Sequence, residues 1–465
     1  MVLVMNGTWY RSRLSPLGLL LALMLAACGS PPDTGPDSPD NPDAGASALT
    51  YHRDTRAIIE ARCTACHRDG DIAPFPLTTY EEVEPMAGAM AGAIASGEMP
   101  PWQPADGCNT YGDDFSLSDQ ERETLLAWLG SGAPAGDPAD YVAPDRAVDP
   151  FRPDIMLQIP EPYTPSEDVR DDYRCFLLEW TETTPMYITG AQVQPDQRGM
   201  VHHVIIYEVE PGDVETVRAI DEAEAGPGYT CYGGPLNEAA RDTRLGQIMA
   251  WVPGQPGASF PAGTGIRVEP GSLLVMQMHY HVDHDLPGPD QSQVAFSLAE
   301  QVERPAVLQL FTNPLWPRSG GMPIPAGDSD VTHLADMDID LFLAALGLTD
   351  DIGLEPGGNV VVHNVGLHMH ELGTRGHVAV RRSSGVEDCL LDVPDWDFHW
   401  QGGYELAKPM TVGPNDRVLL QCWWDNSAAN QPLGDDDLPR APQDTEWGEG
   451  TEDEMCITGL YLTAE

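Results

Sequence analysis

The sequence predicts a mosaic: a small all-α unit followed by two all-β sandwich units. Three observations predict it. A C-x-x-C-H motif lies between two helical patterns near the N-terminus. From about residue 154 short apolar runs alternate with Gly-Pro turns. Gly 46 and Pro 43 together make about a fifth of the 465 residues, which favours turn-rich sheets over a helical bundle.

Composition sets limits on what the chain does. Lys+Arg 24 against Asp+Glu 73 leaves a net charge of −49. A nucleic-acid binder needs a basic footprint, so no nucleic-acid partner is expected. No apolar run reaches the ~20 residues of a spanning helix, which excludes a multi-pass membrane protein.

Residues 1–27 read as a secretory signal, with Arg11 and Arg13 ahead of the apolar stretch Leu17 to Ala27. Its end, Leu25-Ala26-Ala27-Cys28-Gly29, resembles a bacterial lipobox. That resemblance makes Cys28 the lipidated first residue of an exported chain, anchored to the cell envelope without spanning a membrane. Gly29 rather than Asp after the cysteine resembles sorting to the outer membrane of a Gram-negative bacterium. An ordinary cleaved signal is the alternative. Residues 28–50 are rich in Pro, Asp, Gly and Ser and form a disordered tether.

Residues 51–145 form the first folded unit. Cys63-Thr64-Ala65-Cys66-His67 is the attachment motif of c-type haem. Two thiols at i and i+3 reach one macrocycle edge, and His67 ligates the iron beside them. A thioredoxin-like redox pair and half of a zinc site are the alternatives; neither requires the adjacent histidine, and no second C-x-x-C follows. His52 to Cys66 reads as a helix. The capping box Ser118-x-x-Glu121 opens another through Leu125, Leu126, Trp128 and Leu129, stopped by Gly130. This order resembles the small cytochrome c fold with one haem c. A soft thioether is then expected on the distal side. Met99, in the stiff stretch Glu98 to Trp102, is the candidate, whereas Met86 and Met90 at i, i+4 read as core. A Pro- and Asp-rich linker follows, to about Pro153.

Residues 154–300 and 301–465 carry the β pattern. Strands are expected at Met156 to Ile159, Arg174 to Trp180, Val201 to Tyr207 and Leu273 to His281. Histidines cluster on these runs: His202-His203, His279, and His368-x-His370. On a strand i and i+2 share a face, so His368 and His370 can grip one ion. Adjacent His202 and His203 point to opposite faces of a regular strand, so their joint use requires a bulge, a strand end or different ring nitrogens. Imidazole suits zinc and copper alike, and only a soft thioether ligand would decide for copper.

Four motifs occur in order: His202-His203, Gln277-Met278-His279-Tyr280, His368-Met369-His370-Glu371-Leu372-Gly373 and Asp453-Glu454-Met455-Cys456. Ala250-Trp251 and Phe260 to Gly265 lie between them. Together they resemble the copper type II, ascorbate-dependent monooxygenases. The resemblance runs from about Asp171 to the C-terminus and implies two tandem jelly-roll domains with two copper ions. It implies that His202, His203 and His279 bind the electron-transfer copper, with His368, His370 and Met455 binding the oxygen-activating copper. Gln277 is read as a neighbour that orients His279 or water. Disulfides are implied at Cys175–Cys231 and Cys422–Cys456, while Cys108 and Cys389 are left without an assigned partner.

The expected activity is hydroxylation of a C–H bond with O2, the electrons arriving through the fused haem from an ascorbate-like reductant or a cytochrome. Peptidylglycine members carry an arginine where this chain has Gly366 and an asparagine where it has Ile457. A neutral small-molecule substrate is therefore expected. The alternative is a non-catalytic haem and copper electron-transfer or copper-binding lipoprotein.

Overall fold

In the computed structural model the described residues are 48–465, apart from 113, 145–150, 167, 168, 170, 237–245, 254–257, 283–287, 319, 435–437 and 449. Cys28, the leader and most of the tether lie outside them.

Among the described residues, runs of apolar and β-branched residues build eighteen strands in chain order. The first ten are β1 Ile155–Gln158, β2 Asp171–Glu179, β3 Met186–Gln194, β4 Val201–Val209, β5 Tyr229–Thr230, β6 Gln247–Trp251, β7 Ala258–Ser259, β8 Thr264–Val268, β9 Leu273–His281 and β10 Gln293–Ala299. The remaining eight are β11 Arg304–Phe311, β12 Val331–Asp338, β13 Val360–His368, β14 Gly373–Arg381, β15 Glu387–Val393, β16 Gly403–Val412, β17 Arg417–Trp424 and β18 Ile457–Ala464.

They form three sheets. A five-stranded sheet runs β5-β2-β9-β4-β6 and a four-stranded sheet runs β12-β17-β14-β15. The third, of nine strands, runs β1-β10-β3-β8-β11-β18-β13-β16, with β7 paired to β3. One half of this long sheet packs on the five-stranded sheet through Phe176, Met276, Met278, Tyr280 and Phe296. The other half packs on the four-stranded sheet through Val362, Leu391, Leu420, Trp424 and Leu460. The halves meet where β8 pairs in parallel with β11, Thr264 opposite Arg304 and Ile266 opposite Ala306. Gly265 sits at this junction, where a Cβ would come 3.0 Å from Val302 Cγ1 and 3.1 Å from the Ile188 carbonyl oxygen. A side chain there would force Val302 or the β3 backbone to give way by a few tenths of an ångström.

Helices are short and few. A π-helical turn Tyr51–Thr55 leads into a helix Arg56–Arg62. The helix Ala87–Ser96 packs with Asp119–Gly130, whose capping box at Ser118 and Glu121 is complete. Ile59, Leu125 and Trp128 form a small core there, and Met90 lies in it.

The expected small all-α cytochrome c domain, standing before two jelly rolls, is corrected by this architecture. Leu49–Glu465 is one unit, mostly sheet with a few short helices, and among the described residues no all-α domain stands apart. The reason lies in the segment between the helices. Ala105 N–H donates to the Asp392 carbonyl at 2.7 Å, and Tyr111 forms a bridge with Leu406. Cys108 is disulfide-bonded to Cys389, and Tyr111 enters the core of the C-terminal half, with Trp102 packed against it. A loop that would close a helical domain is instead spent on the edge of the sheets. The two sandwiches are likewise joined by one continuous sheet.

Candidate metal centres

Strand parity places the first histidine cluster. On β9 Leu274, Met276, Met278 and Tyr280 enter the core, so His279 and His281 face the other way. On β4 both Val201 and Val204 enter the same core, although three positions apart. The register against β9 shifts between Val201 and His203. This bulge turns His202 and His203 together toward His279, which meets the geometric requirement of adjacent ligands.

The ligand atoms of His202, His203 and His279 all lie within 4.8 Å of one another. Nδ1 of His203 is 3.5 Å from Nδ1 of His202 and 3.3 Å from Nδ1 of His279. Asp171 on β2 accepts from His279 Nε2 at 2.9 Å and from His281 Nδ1 at 2.8 Å. His279 therefore carries its proton on Nε2 and turns the lone pair of Nδ1 into the cluster. Tyr173 stacks on the His279 ring with centroids 4.1 Å apart. Burial, reinforced by neighbouring histidines, pushes His202 down to about 3, and burial puts His203 well below its usual value. Burial also lowers His279 despite Asp171. Burial pushes Asp171 upward, but the bonds from His279 and His281 outweigh it and hold the carboxyl low. Three neutral imidazoles converging their lone pairs fit a borderline or soft transition metal.

The second cluster begins where β13 ends. His368 is the last residue of the strand, and His370 lies beyond it rather than on it. Leu367 and Met369 both enter the core, so the two histidines still share a side. Their ring centroids are 5.0 Å apart. His368 Nδ1 donates to Gln401 Oε1 at 2.5 Å, and His370 Nδ1 donates to the Asp453 carbonyl at 3.0 Å. Both rings therefore present Nε2 as the lone-pair nitrogen. Burial pushes His370 down to about 3 and lowers His368.

Met455 is buried and follows directly on the residues that hold His370. Glu454 accepts from the backbone N–H of His370 at 3.0 Å, from that of Leu372 at 2.7 Å and from Trp424 Nε1 at 2.9 Å. Cys456 is bonded to Cys422, and Ile457 pairs with His368 in the sheet. Cys175 is bonded to Cys231 behind β9. Gln277 donates to the Cys231 carbonyl at 3.3 Å rather than to His279, whose orienting partner is Asp171.

The two clusters face one another. The Phe398 ring is 6.4 Å from His202 and 6.2 Å from His370, centroid to centroid. The two imidazoles therefore lie no farther apart than those two distances laid end to end. Asp171, Gln401 and Phe398 were not singled out by sequence. Asp171 is visible only once β2 is set in register against β9, and the other two come from a loop without periodic pattern.

At the C-x-x-C-H motif Cys63 and Cys66 are unpaired thiols. Burial pushes them up to about 12 and about 11. His67 Nδ1 donates to the Phe75 carbonyl at 3.0 Å, which leaves Nε2 as its lone-pair nitrogen. Met99 N–H donates to the Ala93 carbonyl at 3.2 Å, at the end of the Ala87–Ser96 helix. The residues present fit a covalently held haem: two thiols that are not oxidised to each other and an oriented imidazole.

Residues 157–286 match the family described as copper type II ascorbate-dependent monooxygenase, N-terminal domain. The matched region contains His202, His203 and His279 and ends before His368. It supports a copper-dependent oxidoreductase, and it implies copper for the three-histidine site. The chain is also 21% identical over 277 residues to DBH-like monooxygenase protein 1 of Gallus gallus. That stretch is 58% of this chain and 40% of the relative, so the chain spans less than half the length of the curated protein it matches. Among solved structures it is similar to the major capsid protein P2 of bacteriophage PM2, at 8% identity and TM-score 0.24, covering 67% of this chain and 97% of that one. Oxalate decarboxylase from Bacillus subtilis is similar at 10% identity and TM-score 0.11, covering 66% of this chain and 91% of that one. Neither likeness bears on function.

Proposed function

We propose that this chain is an exported, lipid-anchored copper monooxygenase that hydroxylates a C–H bond of a neutral small molecule with O2. In this reading His202, His203 and His279 hold an electron-transfer copper, and His368, His370 and Met455 hold a second. Haem c sits on Cys63, Cys66 and His67, with Met99 on its distal side, and passes electrons on from an ascorbate-like reductant or a cytochrome. Cys28 carries the lipid.

The observation that carries the reading is the opposition of two lone-pair clusters across Phe398, the first of them inside the matched copper monooxygenase region. Copper bound at such clusters supplies the one-electron chemistry that O2 activation requires. The chain's own residues do the rest. Asp171, Gln401 and the Asp453 carbonyl fix which ring nitrogen of His279, His368 and His370 faces inward, and burial favours the neutral imidazole at His202, His203, His279, His368 and His370. Gly366 offers no side chain to a substrate carboxylate, and Ile457 is buried. The net charge of −49 also disfavours an anionic substrate.

Copper and haem stoichiometry on chain produced with export and copper tests this directly. Two coppers and one haem are expected, with one copper lost in Met455→Ala or His370→Ala. Reductant-dependent O2 uptake with neutral C–H donors should then exceed background. Loaded protein that takes up no O2 with any donor would leave only an electron-transfer or copper-binding role.

A further inference from the structure

The C-x-x-C-H segment is fastened to the turn that enters β4, and the later segment around Gln103 is fastened to the loop that carries Phe398. Asp71, four residues after His67, is buried. Its Oδ2 accepts from Arg68 Nε at 2.6 Å and from Arg198 Nη1 at 3.3 Å, and its Oδ1 accepts from the Ile72 N–H at 2.9 Å. Arg68 adjoins His67. Arg198 lies in the turn that enters β4, four residues before His202. One carboxylate thus joins the histidine of the motif to the strand that carries two ligands of the three-histidine cluster. On the other side Gln103 Nε2 donates to the Asp397 carbonyl at 2.8 Å. Asp397 precedes Phe398, the ring between His202 and His370.

We propose that the Arg68–Asp71–Arg198 clamp is an intramolecular docking contact that sets electron transfer from the motif to the three-histidine cluster, in preference to the His368 and His370 cluster. This rests on the reading of the motif as a haem site and of the cluster as a copper site. In the step, one electron leaves iron(II), giving iron(III), and enters copper(II), giving copper(I). No bond is made or broken, and no proton has to move. Asp71 and Arg198 touch neither metal; they are positioning residues. The choice of acceptor follows from the connection: the clamp reaches β4 directly, whereas the Gln103 contact reaches the second cluster only through the loop that carries Phe398. Truncating Arg198 leaves the buried Asp71 carboxylate without its partner on the β4 side and slackens the hold between the motif and that strand.

The test uses the full chain loaded with haem and copper. Flash reduction of the haem, followed at its visible bands, reads the transfer rate, and electron paramagnetic resonance reads the coupling between ferric haem and the copper(II) of the three-histidine site. Arg198→Ala is expected to slow transfer about tenfold and to weaken the coupling, with the haem spectrum and the copper content unchanged. Arg198→Lys should restore most of the rate, because a cation at that position still meets Asp71. Asp71→Asn should act like Arg198→Ala. Transfer and coupling that are the same in all three variants would overturn the inference while leaving the haem and copper reading standing. Purified chain with no covalently bound haem would overturn both.

Discussion

Glu454→Gln is the most informative single change. The carboxylate is fully buried and accepts from the backbone N–H groups of His370 and Leu372 and from the indole of Trp424. Glutamine keeps the shape but has one acceptor oxygen. If that oxygen keeps Trp424 and His370, the amide group is turned against the Leu372 N–H. A buried donor without an acceptor costs about 1–3 kcal/mol. A second effect opposes this one. Burial, against hydrogen bonds from Trp424 and the backbones of Leu372, His370 and Met455, raises Glu454 from 4.5 to about 7. Because the folded value lies above the unfolded one, the folded state binds more protons between pH 4.5 and 7. The stability this group contributes is therefore full below pH 4.5 and is lost as pH rises through 7, by about 3 kcal/mol in all. Glutamine does not titrate. In urea melts of the metal-free chain the variant should be less stable than the parent by about 1–3 kcal/mol at pH 5. The gap should close or reverse by pH 8. A gap that stays constant, or widens, from pH 5 to pH 8 would refute the assignment of a buried carboxyl that resists ionisation.

Three further outcomes follow from the geometry. Asp171→Asn removes the carboxylate that fixes the His279 tautomer, so copper affinity at the three-histidine site should fall about 10–100-fold, measured by chelator competition. Gln401→Leu should weaken copper at His368 and His370 by about tenfold or more, without loss at the other site, and Gln401→Glu should restore much of it. Replacing Cys108 and Cys389 together by serine opens a cross-link between residues 281 apart and should lower the free energy of unfolding by about 2–5 kcal/mol, seen as a lower urea midpoint.

Much of the site is legible in the sequence because its parts are local. The run Leu273 to His281 becomes β9 with those same ends, and of the three ways adjacent histidines can share a side the structure uses a bulge on β4. What escapes the sequence is what depends on distant pairing. Asp171 reaches His279 and His281 only because β2 lies antiparallel to β9, with Asp171 opposite His281. Gln401 stands 33 positions from His368 and comes from a loop. The helical segment reads as a domain because the capping box and apolar spacing are local signals. That Ala105, Cys108 and Tyr111 would be drawn onto β15 and β16 is a long-range fact without local signature. The same holds for the parallel pairing of β8 with β11, which turns two sandwiches into neighbours on one sheet.

That shared sheet has a mechanical consequence. Two bodies joined by a flexible linker open and close by rotating about it, and the gap between them is then a thermal variable. Here the long sheet passes from one half to the other through backbone hydrogen bonds, and Gly265 lets the junction close without a side chain between. Any rotation would have to shear the β8–β11 ladder. The separation of the histidine clusters is therefore a property of the backbone, as stiff as the sheet itself. The loop around Phe398, which touches both clusters, lies between β15 and β16 and outside that ladder.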